Sequence, residues 1–181
     1  GAAAPAERVR VLGEGFGGSI AADVWAGTRA LPVLASAPGD LTVQLPADIA
    51  ESSVRLEVRV AGQAIGGADL GIAPAAPGVL PFVLNQDGWP NQAGRPAPAG
   101  GVIVLFATGL GALSGTQPAL PLTAAIADLP ADVLAAEASA SAPGVVYVAV
   151  RVPGGFLPPG GNPLVLSVNG VAAPAVNVWT R

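Results

Sequence analysis

Carboxylates are the only strong acid–base side chains with partners in this chain, because its 181 residues include no His, no Cys and no Lys. Two spacings bring carboxylates close together, Asp48 with Glu51 and Asp128 with Asp132. Such a pair can hydrolyse a glycoside when one member holds its proton and the other is ionised. That chemistry belongs in a cleft rich in polar and aromatic groups, and neither spacing has such surroundings, so solvated turns account for them better. Without His or Cys there is no Ser-His-Asp or Cys-His arrangement, and without Lys there is no Schiff base and no Ser-Lys dyad. The sequence assigns no catalytic residue, no cofactor and no transition-metal site, since such metals draw on His or Cys.

Three other patterns bear on binding. Asn85-Gln86-Asp87-Gly88-Trp89-Pro90-Asn91 has the oxygen donors of a calcium loop but neither its acidic density nor its distal Glu, and Asn and Asp beside Gly also build hairpin turns. A turn is the better account. Gly15-Phe16-Gly17-Gly18 and Gly109-Leu110-Gly111 follow apolar runs as a phosphate loop would, yet no Lys-Ser/Thr and no helix pattern comes after them. Trp25, Trp89 and Trp179 could be carbohydrate platforms, although scattered Trp residues serve more often as core or interface anchors.

The elements that would position these residues are strands. Pro (19) and Gly (25) interrupt most windows of helical length. Val54, Leu56, Val58 and Val60 alternate with Arg55, Glu57 and Arg59, and Leu164, Leu166 and Val168 alternate in the same way, the pattern of half-buried strands. The halves also repeat. Gly15 and Gly109 stand 94 positions apart after matching runs (Val9–Leu12 and Ile103–Phe106), and the offset grows to 108 between Gly62 and Gly170. Strands are expected near residues 8–13, 20–26, 30–35, 40–45, 53–61 and 64–72, then 79–84, 101–108, 122–127, 131–138, 145–152, 162–169 and 171–178. The expected fold is all-β, two immunoglobulin-like β-sandwich domains in tandem, residues 1–73 and 74–181, joined at the stiff Ala73-Pro74-Ala75-Ala76-Pro77-Gly78. Val9, Val11, Val43, Leu45, Leu56, Val58, Val60, Val104, Phe106, Val133, Val148, Val150, Leu164, Leu166 and Val168 are expected to point inward.

Ala-Pro-Ala-Ala-Pro-Gly (73–78), Leu-Asn-Gln-Asp-Gly (84–88), Leu-Phe-Ala-Thr-Gly-Leu-Gly (105–111), the run 142–153 and Leu-Ser-Val-Asn-Gly-Val (166–171) carry a resemblance. Together they resemble the Solibacter-type C-terminal domain family of acidobacterial exported proteins, related in fold to IPT/TIG immunoglobulin-like domains. The resemblance covers nearly the whole chain and implies export, a pair of β-sandwiches and a surface or structural role. It brings no activity and no site. One departure stands out: a strand-bearing stretch, 79–100, precedes the Gly-Leu-Gly unit, but only residues 1–7 precede Arg8. The first sandwich is expected to lack an N-terminal strand.

Only 11% of residues are charged, against about 25% in ordinary domains. The net charge is −4 and the eight basic residues, all Arg, form no cluster, so nucleic acid is not an expected partner. No apolar run reaches the ~20 residues of a membrane span, and no membrane insertion is expected. Absence of Cys is compatible with an oxidising exterior, and the opening Gly1-Ala2-Ala3-Ala4-Pro5 fits a mature end left by cleavage after a small residue, with the start of an expressed fragment explaining it nearly as well. An extracellular or cell-surface location is expected.

Many apolar residues and few charges imply exposed apolar surface, which assembly would cover. Two functions are open, a structural subunit that self-associates into a surface filament or layer, or binds another surface protein, and a monomeric adhesion or spacer module. In the first, the open sheet edge takes a strand from a neighbouring copy, with Gly1, Ala2, Ala3, Ala4, Pro5 and Ala6, or the end bearing Trp179, as inter-subunit contacts. In the second, the tail folds back onto its own domain. Far-ultraviolet circular dichroism of the purified chain is expected to be strand-dominated, and helix above a quarter of the residues would overturn the fold class.

Overall fold

Charged residues on one side of Ser53–Val60 and branched aliphatic residues on the other leave the chain one way to bury the apolar side, as a strand laid on a second sheet. The same arrangement governs the rest of the computed structural model, which describes residues 2–155 and 157–181. Every helix or strand element among them is a β-strand.

The first half comprises β1 (Ala2–Ala3), β2 (Arg8–Leu12), β3 (Asp23–Ala26), β4 (Arg29–Leu31), β5 (Val33–Ala37), β6 (Asp40–Gln44), β7 (Ser53–Val60) and β8 (Gln63–Ile72). One sheet has the order β1-β8-β7-β3-β4 and the other β2-β6-β5. Val24, Leu41, Val43, Leu45, Leu56 and Val58 form the core between them. The second half comprises β9 (Gly78–Asn85), β10 (Val102–Thr108), a small hairpin of β11 (Leu113–Ser114) and β12 (Gln117–Pro118), β13 (Leu122–Ile126), β14 (Leu129–Ala131) and β15 (Val133–Ala138). It ends with β16 (Val146–Arg151), β17 (Gly160–Val168), β18 (Val171–Ala172) and β19 (Val176–Thr180). Here β9-β10-β16-β15 packs on β14-β13-β17, with β18 and β19 both bonded to β17. A separate apolar cluster, Ala75 to Val178, fills this sandwich.

The two halves share their devices. Ala61-Gly62 and Asn169-Gly170 are two-residue hairpin turns with both φ angles positive (51° and 80°, 48° and 82°), the geometry that follows strand twist. Gly17 and Gly109 also take positive φ, and a Cβ there would lie 2.1 Å from the Ala37 carbonyl oxygen and 2.0 Å from that of Ala76. These glycines let the chain press the adjoining Phe16 and Leu110 into the ends of the two cores. At Pro32 and again at Asp132 the chain passes from one sheet to the other. The stretches expected as single strands over 30–35 and 131–138 are therefore β4 then β5, and β14 then β15.

One stretch of the expected core has the opposite facing. Ile103, Leu105 and Ala107 are buried on the inner face of β10, while Val104 and Phe106 lie half-buried on the outer face. The run from Val102 to Ala107 is apolar throughout, so no polar neighbour marks its outer side. Phe106 is instead covered from outside by Phe82 and Tyr147, with ring centroids at 5.6 and 5.2 Å.

Leu166→Ala, at a side chain with no exposed surface, is expected to cost about 2–5 kcal/mol in urea unfolding, with Leu56→Ala toward the low end. Losses below ~1 kcal/mol at both would mean that the inner faces are misassigned.

Candidate functional site

The opening residues are built into their own chain. Ala2 and Ala3 pair in parallel with Gly71 and Ile72 of β8, and the Ala73 N–H donates to the Ala3 carbonyl at 2.9 Å. Ala4 and Pro5 are buried, and the Ala6 N–H donates to Pro46 at 3.2 Å. The role of strand donor to another copy would need these groups unbonded, and between Ala2 and Ala6 they are engaged in the fold-back arrangement. Gly1 lies outside the described residues. Just beyond, Arg8 donates from Nε to the Pro143 carbonyl, and the Ala6 carbonyl closes on Gly144, so this segment lies between the two sandwiches.

Trp179 is held similarly. Its N–H donates to Asn91 Oδ1 at 2.6 Å, and its carbonyl accepts from the Ala97 N–H at 2.8 Å and from Asn91 Nδ2 at 2.9 Å. Asn91 Nδ2 also reaches Asn85 Oδ1 at 2.8 Å, and buried Asn85 donates to the Arg95 carbonyl at 2.7 Å. The amides of 85–91 are thus a strut that ties a long loop to β19. Asp87 caps the Trp89 N–H at 3.1 Å and lies 3.9 Å from Arg95 Nε, whose guanidinium covers the Trp89 ring at 4.9 Å. Trp25 carries Arg59 over its ring at 4.4 Å.

The carboxylate spacings yield no acid–base pair. Asp48 takes both ends of the Arg29 guanidinium (2.5 and 3.2 Å), which holds its carboxyl below the usual range and therefore ionised. Glu51 accepts the Ala50 N–H at 3.1 Å. Asp128 sits at the tip of the β13–β14 turn with φ 63°, and Asp132 at the sheet switch bonds Arg151 through its main-chain carbonyl. Among the described residues no three of His, Cys, Asp and Glu come together as metal ligands.

What does stand open is one side of the first sandwich. Among the described residues, no strand pairs with the edge of β2 that faces away from β6, or with the edge of residues 63–70 of β8 that faces away from β7. Between the two edges lies a groove of about 400 Å³, lined by Val9, Val11, Phe16, Leu56, Ile65 and Leu70 among others. Gly66 and Ala68 pair with Val58 and Leu56 and so share their inward face, yet both are exposed. The corresponding side of the second sandwich is shut by β9, which pairs with β10 and inserts Val83. The contrast is visible residue by residue. Ile103, Leu105 and Val178 are 0% exposed, whereas Val9, Val11 and Leu70, their counterparts, are half-buried. Leu12 matches Phe106 but has no aromatic cover and is 67% exposed. Repeat comparison aligns no stretch within residues 1–181 with β9 ahead of β2, but it does not name the groove residues, because these come from β2, β7 and β8.

No family model matches the chain, and no curated protein matches it. Among solved structures it is similar to a Bacteroides ovatus protein, SGBP-B of a mixed-linkage glucan utilization locus, solved with a mixed-linkage heptasaccharide. The identity is 12% and the TM-score 0.46, over 99% of this chain and 43% of that one. The plexin A4 extracellular region is similar at 12% identity and TM-score 0.36, over 97% of this chain and 17% of that one. A glycosyl hydrolase family 2 member from Bacteroides cellulosilyticus follows at 11% and 0.28, over 88% and 21%. The chain spans less than half the length of each of these proteins.

Glu7 supplies a test of the junction. It is half-buried, and its carboxylate accepts the Ala4 N–H at 2.6 Å; burial raises its pKa more than that bond lowers it. A carboxyl that keeps its proton to higher pH in the folded state favours folding fully below the unfolded value, ordinarily 4.5, and loses that contribution as pH rises through the raised value. Glu7→Gln is therefore expected to raise the melting temperature at neutral pH, with the difference closing below the ordinary carboxyl range. A melting difference independent of pH would refute the assignment.

Proposed function

We propose that this chain is a non-enzymatic contact module of an exported protein, a pair of immunoglobulin-like sandwiches that act as a spacer and present a sheet edge to other polypeptides. The observation that carries the proposal is the contrast between the two halves: the first has an apolar groove beside unpaired backbone where the second is closed by a strand, and the closely spaced carboxylates Asp48, Glu51, Asp128 and Asp132 form no acid–base pair. Unpaired edges invite strand addition, and an apolar groove next to one rewards it. Export and surface display are supported by the residues that resemble exported acidobacterial domains.

The self-assembling filament draws its support from sparse charge over an apolar composition and from terminal strands free to leave their own domain. With Ala2–Ala6 and Trp179 bonded inside the chain, the monomeric adhesion or spacer module is the better supported form. Light scattering from micromolar to millimolar concentration is expected to give the mass of a single chain, and assays with glycoside and ester substrates to give no turnover. A mass that multiplies with concentration would return the filament. Turnover abolished by Asp48→Asn or Asp132→Asn would make the chain an enzyme.

A further inference from the structure

We infer that the groove between β2 and β8 is an acceptor for one extended, uncharged strand of a partner polypeptide, with apolar side chains at alternate positions, lying antiparallel to β2. This rests on the contact-module function and specifies the chemistry of its partner.

The repeat itself states what belongs there. Position by position, β2 corresponds to β10 and β8 to β19, and in the second half β9 lies antiparallel along β10 with Val104 opposite Leu84 and Leu105 opposite Val83. Its inward Val83 is buried, and its outward Phe82 lies against Phe106. In the first half each of those contacts has a prepared but empty counterpart. Val11 and Leu70 border the space for an inward aliphatic side chain, Gly66 and Ala68 leave room for it, and exposed Leu12 stands where Phe106 meets its aromatic cover.

Backbone polarity matches as well. The Leu45 N–H donates to Glu7 at 2.9 Å and the Gly13 N–H to Gly39 at 3.0 Å, which fixes the odd-numbered residues of β2 as those bonded toward β6. Arg8, Arg10 and Leu12 consequently turn their N–H and C=O groups to the open side. In β10 the Val152 N–H bonds Gly101 at 2.8 Å, so Val102, Val104 and Phe106 turn theirs toward β9.

Charge then selects the occupant. Of the charged residues that line the groove, Arg10 is paired with Asp40 and Asp69 with Arg55 at 3.3 Å, and Glu14 stands at the Gly13 end, so the length along Arg10 and Asp69 has its counter-ions and suits an uncharged strand. Gly78–Asn85, the strand that fills the equivalent place, carries no charge. A second copy joined β2 to β2 about Arg10 would set Arg10 directly opposite Arg10, a like-charge pair that weakens a ladder. The added strand would extend the sheet β5-β6-β2 by one.

The probe is a synthetic peptide with the sequence of residues 78–86, blocked at both ends so that it carries no charge, added to the intact chain, with amide hydrogen exchange as the readout. At saturation the Arg10 and Leu12 amides are expected to exchange at least about tenfold more slowly, as amides gaining a ladder bond do, while Val9 and Val11 change little. A shuffled peptide is expected to leave all four unchanged. Arg10→Pro removes an outward N–H and spares the bonds to β6, a position where edge strands accept proline. It is expected to abolish the protection and keep the parent's circular dichroism. Leu70→Arg, which sets a charge in the groove, is expected to do the same. No slowing at Arg10 and Leu12, or slowing that Arg10→Pro leaves intact, overturns the inference. Slowing that grows with protein concentration without peptide, together with a doubled mass, also overturns it and makes the occupant a second copy. Peptide failure in a chain that stays monomeric and without turnover leaves the contact-module function standing, so the two failures are distinct.

Discussion

Dry contact between two inner sheet faces is the interaction on which this chain depends. It has no disulfide to hold the sheets together, and the described residues present no metal cluster in place of one. The contact is made mainly by Val, Leu, Ile and Ala, whose small and stiff side chains interdigitate at close packing and leave few polar atoms to satisfy. No buried side-chain nitrogen or oxygen among the described residues lacks a hydrogen-bond partner. Charges are left to the outer faces, where Arg55–Asp69 and Arg59–Glu57 pair in solvent and contribute little to stability.

Closing such a core at its ends and along its sides poses separate problems. The ends are closed by Gly17 beside Phe16 and by Gly109 and Gly111 around Leu110, which let the backbone approach a carbonyl so closely that no side chain could intervene. The same device couples the halves, because the Ala76 N–H in the connector donates to the Gly109 carbonyl at 2.8 Å while Ala73 donates to Ala3. Ala75 and Pro77 are buried, so the connector belongs to the packing rather than acting as a free tether.

The sides are where the halves diverge. A strand added along β10 removes the last water from Ile103, Leu105 and Val178; without one, Val9, Val11 and Leu70 remain half in water. The hydrophobic stabilisation forgone on the open side is the same driving force available to an incoming strand.

Much of this was legible in the sequence wherever a polar residue stood beside an apolar one. The alternation in Ser53–Val60, the Ala-Gly and Asn-Gly turns and the repeat offsets determine the strands and the all-β class, since each rests on local geometry with a period of two or a required positive φ. Where the chain is uniformly apolar, as from Val102 to Ala107, both faces look alike, and only the packing of Phe106 under Phe82 and Tyr147 decides which side is out. The repeat register held the answer in part, because Val9 and Val11 align with Ile103 and Leu105. Sheet switching at Pro32 and Asp132, the parallel seat of Ala2–Ala3 on β8 and the reach of Asn91 to Trp179 were decided by tertiary structure alone. Each joins segments far apart in the chain through backbone groups or single side chains, and such contacts leave no periodic trace in the sequence.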